Sequence, residues 1–278
     1  MRLWYTYVAE SINMRYRSIQ DAEISLRVVV TVLKILNNAQ ASTFISSLKN
    51  TAGAVDGMAG LNAIKSWYPT QPDLPSSDHY MLFTGLDIMG AAAFAYRGQV
   101  CTDSSVSICE NTFTGSVAGL AAHELGHSLS AVHDADTKGR EACTDDDQFI
   151  MSTIFHPPVS SDQKGNPWKF SPCSIKSFKS YLSEVSCTLP ENTLRENILP
   201  TAPAGHRAGE VLSRDAQCRL SFRDARSSFC QELQEHNGGM ADLCGRMFCS
   251  IPDGKPGRCS SMIPQEFTPC GPDMVFIA

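Results

Sequence analysis

The sequence predicts an α/β domain followed by a small disulfide-rich module, and three observations lead to that prediction. Over roughly the first 190 residues, short apolar and β-branched runs alternate with segments of helical period. The 42% apolar and 19% charged fractions are typical of a folded globular chain. Six of the eleven cysteines lie between residues 218 and 278, which is the density of a disulfide scaffold.

The elements of the first domain follow from these patterns. Four apolar or alternating runs predict strands: residues 21–34, 79–84, 90–96 and 104–108. Helical spacing of apolar residues predicts four helices, over residues 1–18, 41–49, 116–130 and 174–182. The helical period is loose in residues 1–18. Thr114 or Ser116 can cap the third of these helices. Residues 190–208 contain proline and glycine and have no hydrophobic period, which predicts a linker. The linker separates a predicted domain over 1–189 from a predicted module over 209–278.

Charge and hydropathy exclude several classes of partner. The net charge of −6 argues against nucleic acid or anionic lipid as the main partner, since both require clustered basic charge. No apolar run approaches the ~18 residues that a membrane span needs. The cysteine usage predicts a secreted, extracellular protein. A cytosolic metal-binding cysteine cluster is the alternative, which the lack of C-x-x-C pairs disfavours.

The start of the chain does not match that compartment. Residues 1–18 contain neither the apolar core nor the small-residue cleavage site of a signal peptide. We therefore expect the sequence to be a fragment of a longer protein.

One constellation of residues carries chemistry, within the run AAHELGHSLSAVHD at residues 121–134. His123 and His127 are four residues apart, so on a helix both imidazoles can reach one metal ion. Neutral imidazole suits Zn²⁺, and Glu124 can accept a proton from a metal-bound water. His133 completes a three-ligand site only if the helix ends near residue 130 and the chain turns back. The alternatives are a surface helix with stray histidines and a different class of zinc peptidase.

These residues resemble a known family. The run HELGHSLSAVHD resembles the metzincin zinc signature, and Asp134 after the third histidine is similar to the adamalysin (reprolysin) branch. Met151, in QFIMS, stands where that family has its Met-turn. The tail resembles the disintegrin-like, cysteine-rich module of ADAM-TS proteases. Nearly the whole chain resembles tick salivary proteases of the reprolysin type.

The resemblance implies a fold, a metal and an activity. The fold is a metzincin catalytic domain with a mixed twisted sheet and an active-site helix, whose N-terminal strand is missing from this chain. His123, His127 and His133 would bind Zn²⁺, and Glu124 would be the general base. We expect a secreted zinc metalloendopeptidase acting on extracellular matrix or plasma proteins. The alternative is an inactive or truncated homologue that acts as a binding module through its cysteine-rich tail.

The resemblance also implies a disulfide pattern. Four bonds follow from it: Cys101–Cys187, Cys143–Cys173, Cys218–Cys249 and Cys230–Cys259. Cys244 and Cys270 lack their usual partners and could bond each other. Since eleven is odd, one cysteine must remain, and we nominate Cys109.

Several finer expectations come from the same family. Asp78 and the carbonyl of Cys187 would hold a structural Ca²⁺, although a solvated aspartate in a loop is the alternative. Ser130 occupies a position that usually holds glycine in a left-handed conformation. An extended substrate would pair with an edge strand near residues 104–108, beside a pocket walled by residues 152–171. The oligomeric state is not predicted.

Overall fold

The computed structural model describes residues 2–136, 143–153, 163, 165–189, 205–251, 257–271 and 274–275. Mixed helix and sheet elements form the first part of the chain, and short helices and two-stranded ladders form the tail. The α/β expectation is therefore confirmed. Among the described residues, no helix is long and apolar enough to cross a bilayer. Most of the predicted linker, residues 190–204, lies outside the described residues, so its boundaries stay a prediction.

Helix α1 spans Arg2–Arg17 and forms one wall of the core. Trp4, Val8 and Ile12 recur every four residues and are all buried, which produces the apolar face predicted from the loose helical pattern. Tyr16 is fully buried, and its hydroxyl donates a hydrogen bond to the Ala122 carbonyl over 2.9 Å. This bond ties α1 to the helix that carries the histidine motif.

A three-stranded mixed sheet lies at the centre of the first domain. Strands β2 (Tyr80–Thr84), β4 (Ala93–Ala95) and β5 (Val106–Glu110) are arranged in the order β2-β5-β4. β5 pairs parallel with β2 and antiparallel with β4. Strands β1 (Val55–Asp56) and β3 (Ile88–Met89) form a separate parallel pair.

The expected edge strand near residues 104–108 is wrong, because β5 is the central strand. Its first four residues are buried, since it has a neighbour on each side and helices against its faces. The short strand β4 forms the edge of this sheet within the described residues. A short alternating sequence therefore indicated a strand but not its place in the sheet.

The strand predicted over residues 21–34 is also wrong. The segment has no regular secondary structure, although Ile24, Leu26 and Val28 pack against the core. The Val28 N–H donates to the Asn13 side-chain oxygen over 3.0 Å instead of joining a ladder. The apolar pattern indicated that these side chains are buried. Side chains can be buried without their backbone pairing in a sheet.

Three other helices of the first domain fall close to their predicted places: α2 (Thr43–Ser46), α4 (Ser116–Ser128) and α5 (Pro172–Leu182). A further helix, α3 (Gly57–Trp67), lies between α2 and β2. Asp56 caps α3 by accepting the Ala59 N–H, and Ser171 caps α5 by accepting the Ser174 N–H. The predicted cap of α4 is wrong. Gly115 precedes that helix, and the hydroxyls of Thr114 and Ser116 bond to each other.

The tail module is built from short elements: α6 (Ala208–Val211), α7 (Arg214–Phe222), α8 (Gln231–His236), α9 (Gly239–Leu243), β6 (Met247–Ser250), β7 (Cys259–Met262), β8 (Pro269–Gly271) and β9 (Met274–Val275). Its small core gathers Cys218, Leu243, Met247 and Cys249, and Trp168 of the first domain packs among them. A core this small depends on its disulfides.

Five disulfides cross-link the chain: Cys101–Cys187, Cys143–Cys173, Cys218–Cys249, Cys230–Cys259 and Cys244–Cys270. All eleven cysteines lie within the described residues, and Cys109 is free and buried on β5. Two bonds stay within the first domain and three within the tail, so no disulfide joins the two.

A buried ion pair joins the two parts instead. Arg15 Nη1 lies 2.8 Å from Glu266 Oε1, and the side chains are only 1% and 7% exposed. Ser11 also donates to the Glu266 carboxylate, and the Tyr7 hydroxyl donates to the His206 carbonyl over 2.8 Å. The tail module is therefore docked on α1 through charged and neutral hydrogen bonds.

The tail also contacts the segment just before α4. Arg223 donates to the Asn111 carbonyl over 3.2 Å, and the Gln265 amide donates to the Phe113 carbonyl over 3.4 Å. At Gly115 any Cβ would collide with the Pro264 carbonyl oxygen, so this close approach requires glycine. The tail therefore packs against the start of the helix that carries His123.

Thiol counting tests the disulfide pattern. We expect no alkylation of the native protein, because Cys109 is buried and burial raises the pKa of its thiol well above the usual range. Denaturation without reductant should expose one reactive thiol per chain, which mass spectrometry should place at Cys109. Two or more modified cysteines, or modification elsewhere, would contradict the pattern.

Removing one partner of the buried ion pair should be costly. Glu266→Ala leaves Arg15 buried without its carboxylate, so we expect the free energy of unfolding to fall by about 3–5 kcal/mol. Urea denaturation followed by circular dichroism measures it. Glu232→Ala, at an exposed position of α8, is the matched control and should cost less than ~0.5 kcal/mol. Equal effects of the two substitutions would show that the ion pair does not hold the junction.

Candidate metal centre

Helix α4 and the turn after it bring the three motif histidines together. His123 and His127 are one turn apart on α4. Beyond Ser128 the chain reverses: the Ser130 N–H donates to the His127 carbonyl over 2.8 Å, and the Ala131 N–H donates to the Gly126 carbonyl over 3.0 Å. This reversal returns the chain toward α4 and places His133 beside the other two rings.

Ser130 makes that reversal with a left-handed backbone. Its φ is 76°, the region that the family pattern reserves for glycine. A non-glycine residue there costs about 1–2 kcal/mol. The left-handed conformation that the resemblance implies at this position is therefore present, with serine in place of glycine.

The three imidazoles converge on one point. One ring nitrogen of each histidine lies within 4.8 Å of the others, and His127 Nε2 is 3.2 Å from His133 Nε2. The ring centroids of His123 and His133 are 5.2 Å apart, and those of the other two pairs are 4.7 Å apart. The three nitrogens can therefore share a single ion.

Backbone carbonyls orient two of these rings. His123 Nδ1 lies 2.7 Å from the Ile150 carbonyl oxygen, and His127 Nδ1 lies 2.9 Å from the Ala131 carbonyl oxygen. Since a carbonyl only accepts, each Nδ1 must carry the proton, which leaves the Nε2 lone pair for a metal.

Burial keeps these imidazoles neutral. It lowers the pKa of His123 to about 3, with His127 nearby adding to the effect. The pKa of His127 is lowered as well, again mainly by burial. Three imidazoles with one position left open are the donor set of a catalytic zinc site, so the residues present fit that ion.

Glu124 follows the first histidine and is only 4% exposed. Burial raises the pKa of its carboxyl to about 8 in the absence of a neighbouring cation. Such a carboxyl can both accept and return a proton near neutral pH. Its charge in turn raises the pKa values of Tyr16 and Cys109, after the larger effect of burial on each.

Met151 lies beneath α4 and is completely buried. A Cβ on Gly126 would lie only 2.6 Å from Met151 Sδ, so the helix can pack this closely only with glycine at that position. The Met151 carbonyl accepts the Asp134 N–H over 2.9 Å. The methionine therefore contacts α4 and the segment after it.

Asp134 adds a buried polar connection that the sequence pattern did not explain. Its Oδ1 accepts the Ser171 hydroxyl over 2.5 Å and lies 3.3 Å from the Ser174 hydroxyl. Sequence reasoning missed both serines, although Ser171 before Pro172 has the pattern of a helix start. Asp134 thus fixes the chain after His133 against the beginning of α5.

An open cleft of about 280 Å³ lies in front of the histidines. It is lined by Ala95, Arg97, His127, Val132, His133 and Asp136. The edge strand β4 leads directly into it. Half of the expected pocket wall, residues 152–171, lies outside the described residues, and Pro167 is buried in the short turn Asn166–Trp168.

The second predicted metal position lies elsewhere. Asp78 is exposed, and its Oδ1 is 3.5 Å from Cys101 Sγ. Cys101 and Cys187 also lie near this carboxylate, but their sulfurs are bonded to each other and cannot serve as thiolates. The calcium ligand Asp78 stays a prediction.

The sequence of this chain is similar to those of several metalloproteinases. An "A disintegrin and metalloproteinase with thrombospondin motifs like" protein of Bombyx mori is 29% identical over 94% of this chain. The "Zinc metalloproteinase-disintegrin-like atrase-A" of Naja atra is 28% identical over 63% of the chain. "Venom metalloproteinase 3" of Eulophus pennicornis is 25% identical over 69%. The chain spans 38%, 28% and 47% of the lengths of these relatives.

Two family models divide the chain between them. Residues 208–276 match the ADAMTS cysteine-rich domain 2, in agreement with the tail's disulfide-rich core. Residues 3–164, more than half of the chain, match the reprolysin model of metallo-peptidase family M12. The chain therefore belongs to metallo-peptidase family M12, the reprolysin-type zinc metalloendopeptidases.

Proposed function

We propose that this chain is a secreted, zinc-dependent endopeptidase that hydrolyses proteins of the extracellular matrix or plasma. The observation that carries the proposal is the convergence of three imidazole nitrogens, with the buried carboxyl of Glu124 next to the first histidine in the chain. Five disulfides support an oxidising, extracellular setting.

His123, His127 and His133 hold the metal in this mechanism. When bound, zinc supplies a polarising charge to the scissile carbonyl and to the attacking water. Glu124 removes a proton from that water and later gives it to the leaving amine. The raised pKa of this carboxyl suits both roles, because a group that titrates near the working pH exchanges protons in either direction.

The substrate lies extended along β4. This strand is the edge of the sheet within the described residues, so its outer backbone groups can pair with a peptide. It leads into the cleft that contains His127 and His133. An added strand would present its backbone to the metal side of the cleft without a large movement of the protein.

Replacing the general base should abolish turnover while leaving the metal bound. We expect Glu124→Gln to lower kcat for gelatin or a peptide substrate by about 10²–10⁴-fold. Zinc content, measured by atomic emission, should stay at one ion per chain. Glu184→Gln, an exposed position after α5, is the matched control and should keep full activity. A Glu124→Gln variant with zinc bound and near-normal activity would exclude this residue as the base.

Removal of one histidine should weaken metal binding. His133→Ala leaves two protein ligands, so we expect zinc to be lost during dialysis that the parent protein withstands. His236→Ala, at an exposed position, should retain zinc and activity. A chelator should inactivate the parent protein, and added zinc should restore it. Unchanged zinc content in His133→Ala would show that the third ligand lies elsewhere.

A further inference from the structure

An exposed arginine stands at the side of the cleft. Arg97 follows the edge strand β4 by two residues, and it lines the cleft together with Ala95, His127 and His133. Ala95 ends that strand and Arg97 lies in the turn that follows, and both residues line the same cleft. The mechanism proposed above does not use this charge.

The backbone next to Arg97 is anchored to the end of α4. The Gly98 N–H donates to the His127 carbonyl over 2.9 Å. The N–H groups of Gln99 and Val100 both lie within hydrogen-bond distance of the Ser128 carbonyl, at 3.1 and 3.3 Å. The backbone that carries Arg97 is therefore held at a fixed place beside the metal ligands.

Within the part of the chain that the structure describes, Arg97 makes no ion pair. The acidic residue that shares the cleft, Asp136, lies 3.4 Å from His133 Nδ1 instead. The side chain of Arg97 is exposed, so its charge faces whatever enters the cleft.

The direction of the substrate decides which of its residues meets Arg97. Antiparallel pairing is the more stable arrangement per residue and is the one β4 already uses with β5. In that arrangement the amino-terminal part of the substrate lies toward the carboxyl end of β4. Arg97 lies at that end, so it faces residues that precede the scissile bond.

We propose that Arg97 is a specificity-determining residue, which selects substrates with an acidic side chain shortly before the scissile bond. This inference rests on the proposed endopeptidase function. A guanidinium recognises a carboxylate by charge and by paired N–H donors, so glutamate and aspartate are the side chains it favours.

The test compares peptides that differ at one residue. Fluorogenic peptides carry Glu, Gln or Lys at each of the three positions before the cut, and kcat/KM is measured for the zinc-loaded full chain. We expect Glu to exceed Gln by about fivefold at one of these positions, the ratio typical of an exposed ion pair. This preference should weaken at high salt, because exposed charges are screened.

Variants assign the preference to Arg97. Arg97→Gln should equalise Glu and Gln, and Arg97→Glu should make Lys the preferred residue. Arg27→Glu makes the same charge change at an exposed position outside the cleft and should leave the preference unchanged. The inference would be overturned by a parent protein that cuts the Glu, Gln and Lys peptides equally at all three positions. It would also be overturned by an Arg97→Glu variant that still favours Glu.

The two proposals fail separately. A folded protein with one bound zinc that cuts no peptide or protein would contradict the endopeptidase function. Binding of the same labelled peptides, measured by fluorescence anisotropy, would then test Arg97 alone. Tighter binding of the Glu peptide that disappears in Arg97→Gln supports the inference, and equal binding of Glu and Gln peptides overturns it.

Discussion

The close packing of α4 within the core is the constraint on which the candidate site depends. Val117, Ala118, Ala121 and Ala122 are all nearly inaccessible, and their small size lets α4 lie close to α1 and to the central strand β5. Because the helix is enclosed, His123 and Glu124 are enclosed with it. Burial then shifts the pKa of both groups, since it lowers the pKa of the His123 imidazole and raises the pKa of the Glu124 carboxyl.

The tail module contributes to that packing although it holds none of the three motif histidines. It is joined to α1 by the Arg15–Glu266 ion pair and to the start of α4 through Asn111 and Phe113. A buried ion pair adds little net stability by itself, but removing one of its partners lowers the free energy of unfolding strongly. The module is therefore better regarded as a part of the wall around α4 than as an appendage on a linker.

The convergence of the three histidines could be predicted from the sequence because the information for it is local. The spacing of His123 and His127 on a helix, and the need for a turn before His133, follow from helix geometry alone. The partners that hold the site together are distant: Asp134 meets Ser171 across 37 residues, and Arg15 meets Glu266 across 251. No periodicity reports such pairs. The wrong prediction of a strand at residues 21–34 has the same origin. An apolar pattern indicates that side chains are buried, but it does not indicate whether the segment pairs with another strand.

Ser130 shows how the site tolerates an unfavourable residue. A left-handed serine would relax if its neighbours allowed it, yet two backbone hydrogen bonds fix the turn, from Ser130 to His127 and from Ala131 to Gly126. On the far side, the Asp134 N–H is held by the Met151 carbonyl, and Met151 itself is pressed against Gly126. Strain of this kind persists only where the surroundings over-determine the conformation. The third histidine thus reaches the other two because both ends of its short loop are fixed to the same turn of α4.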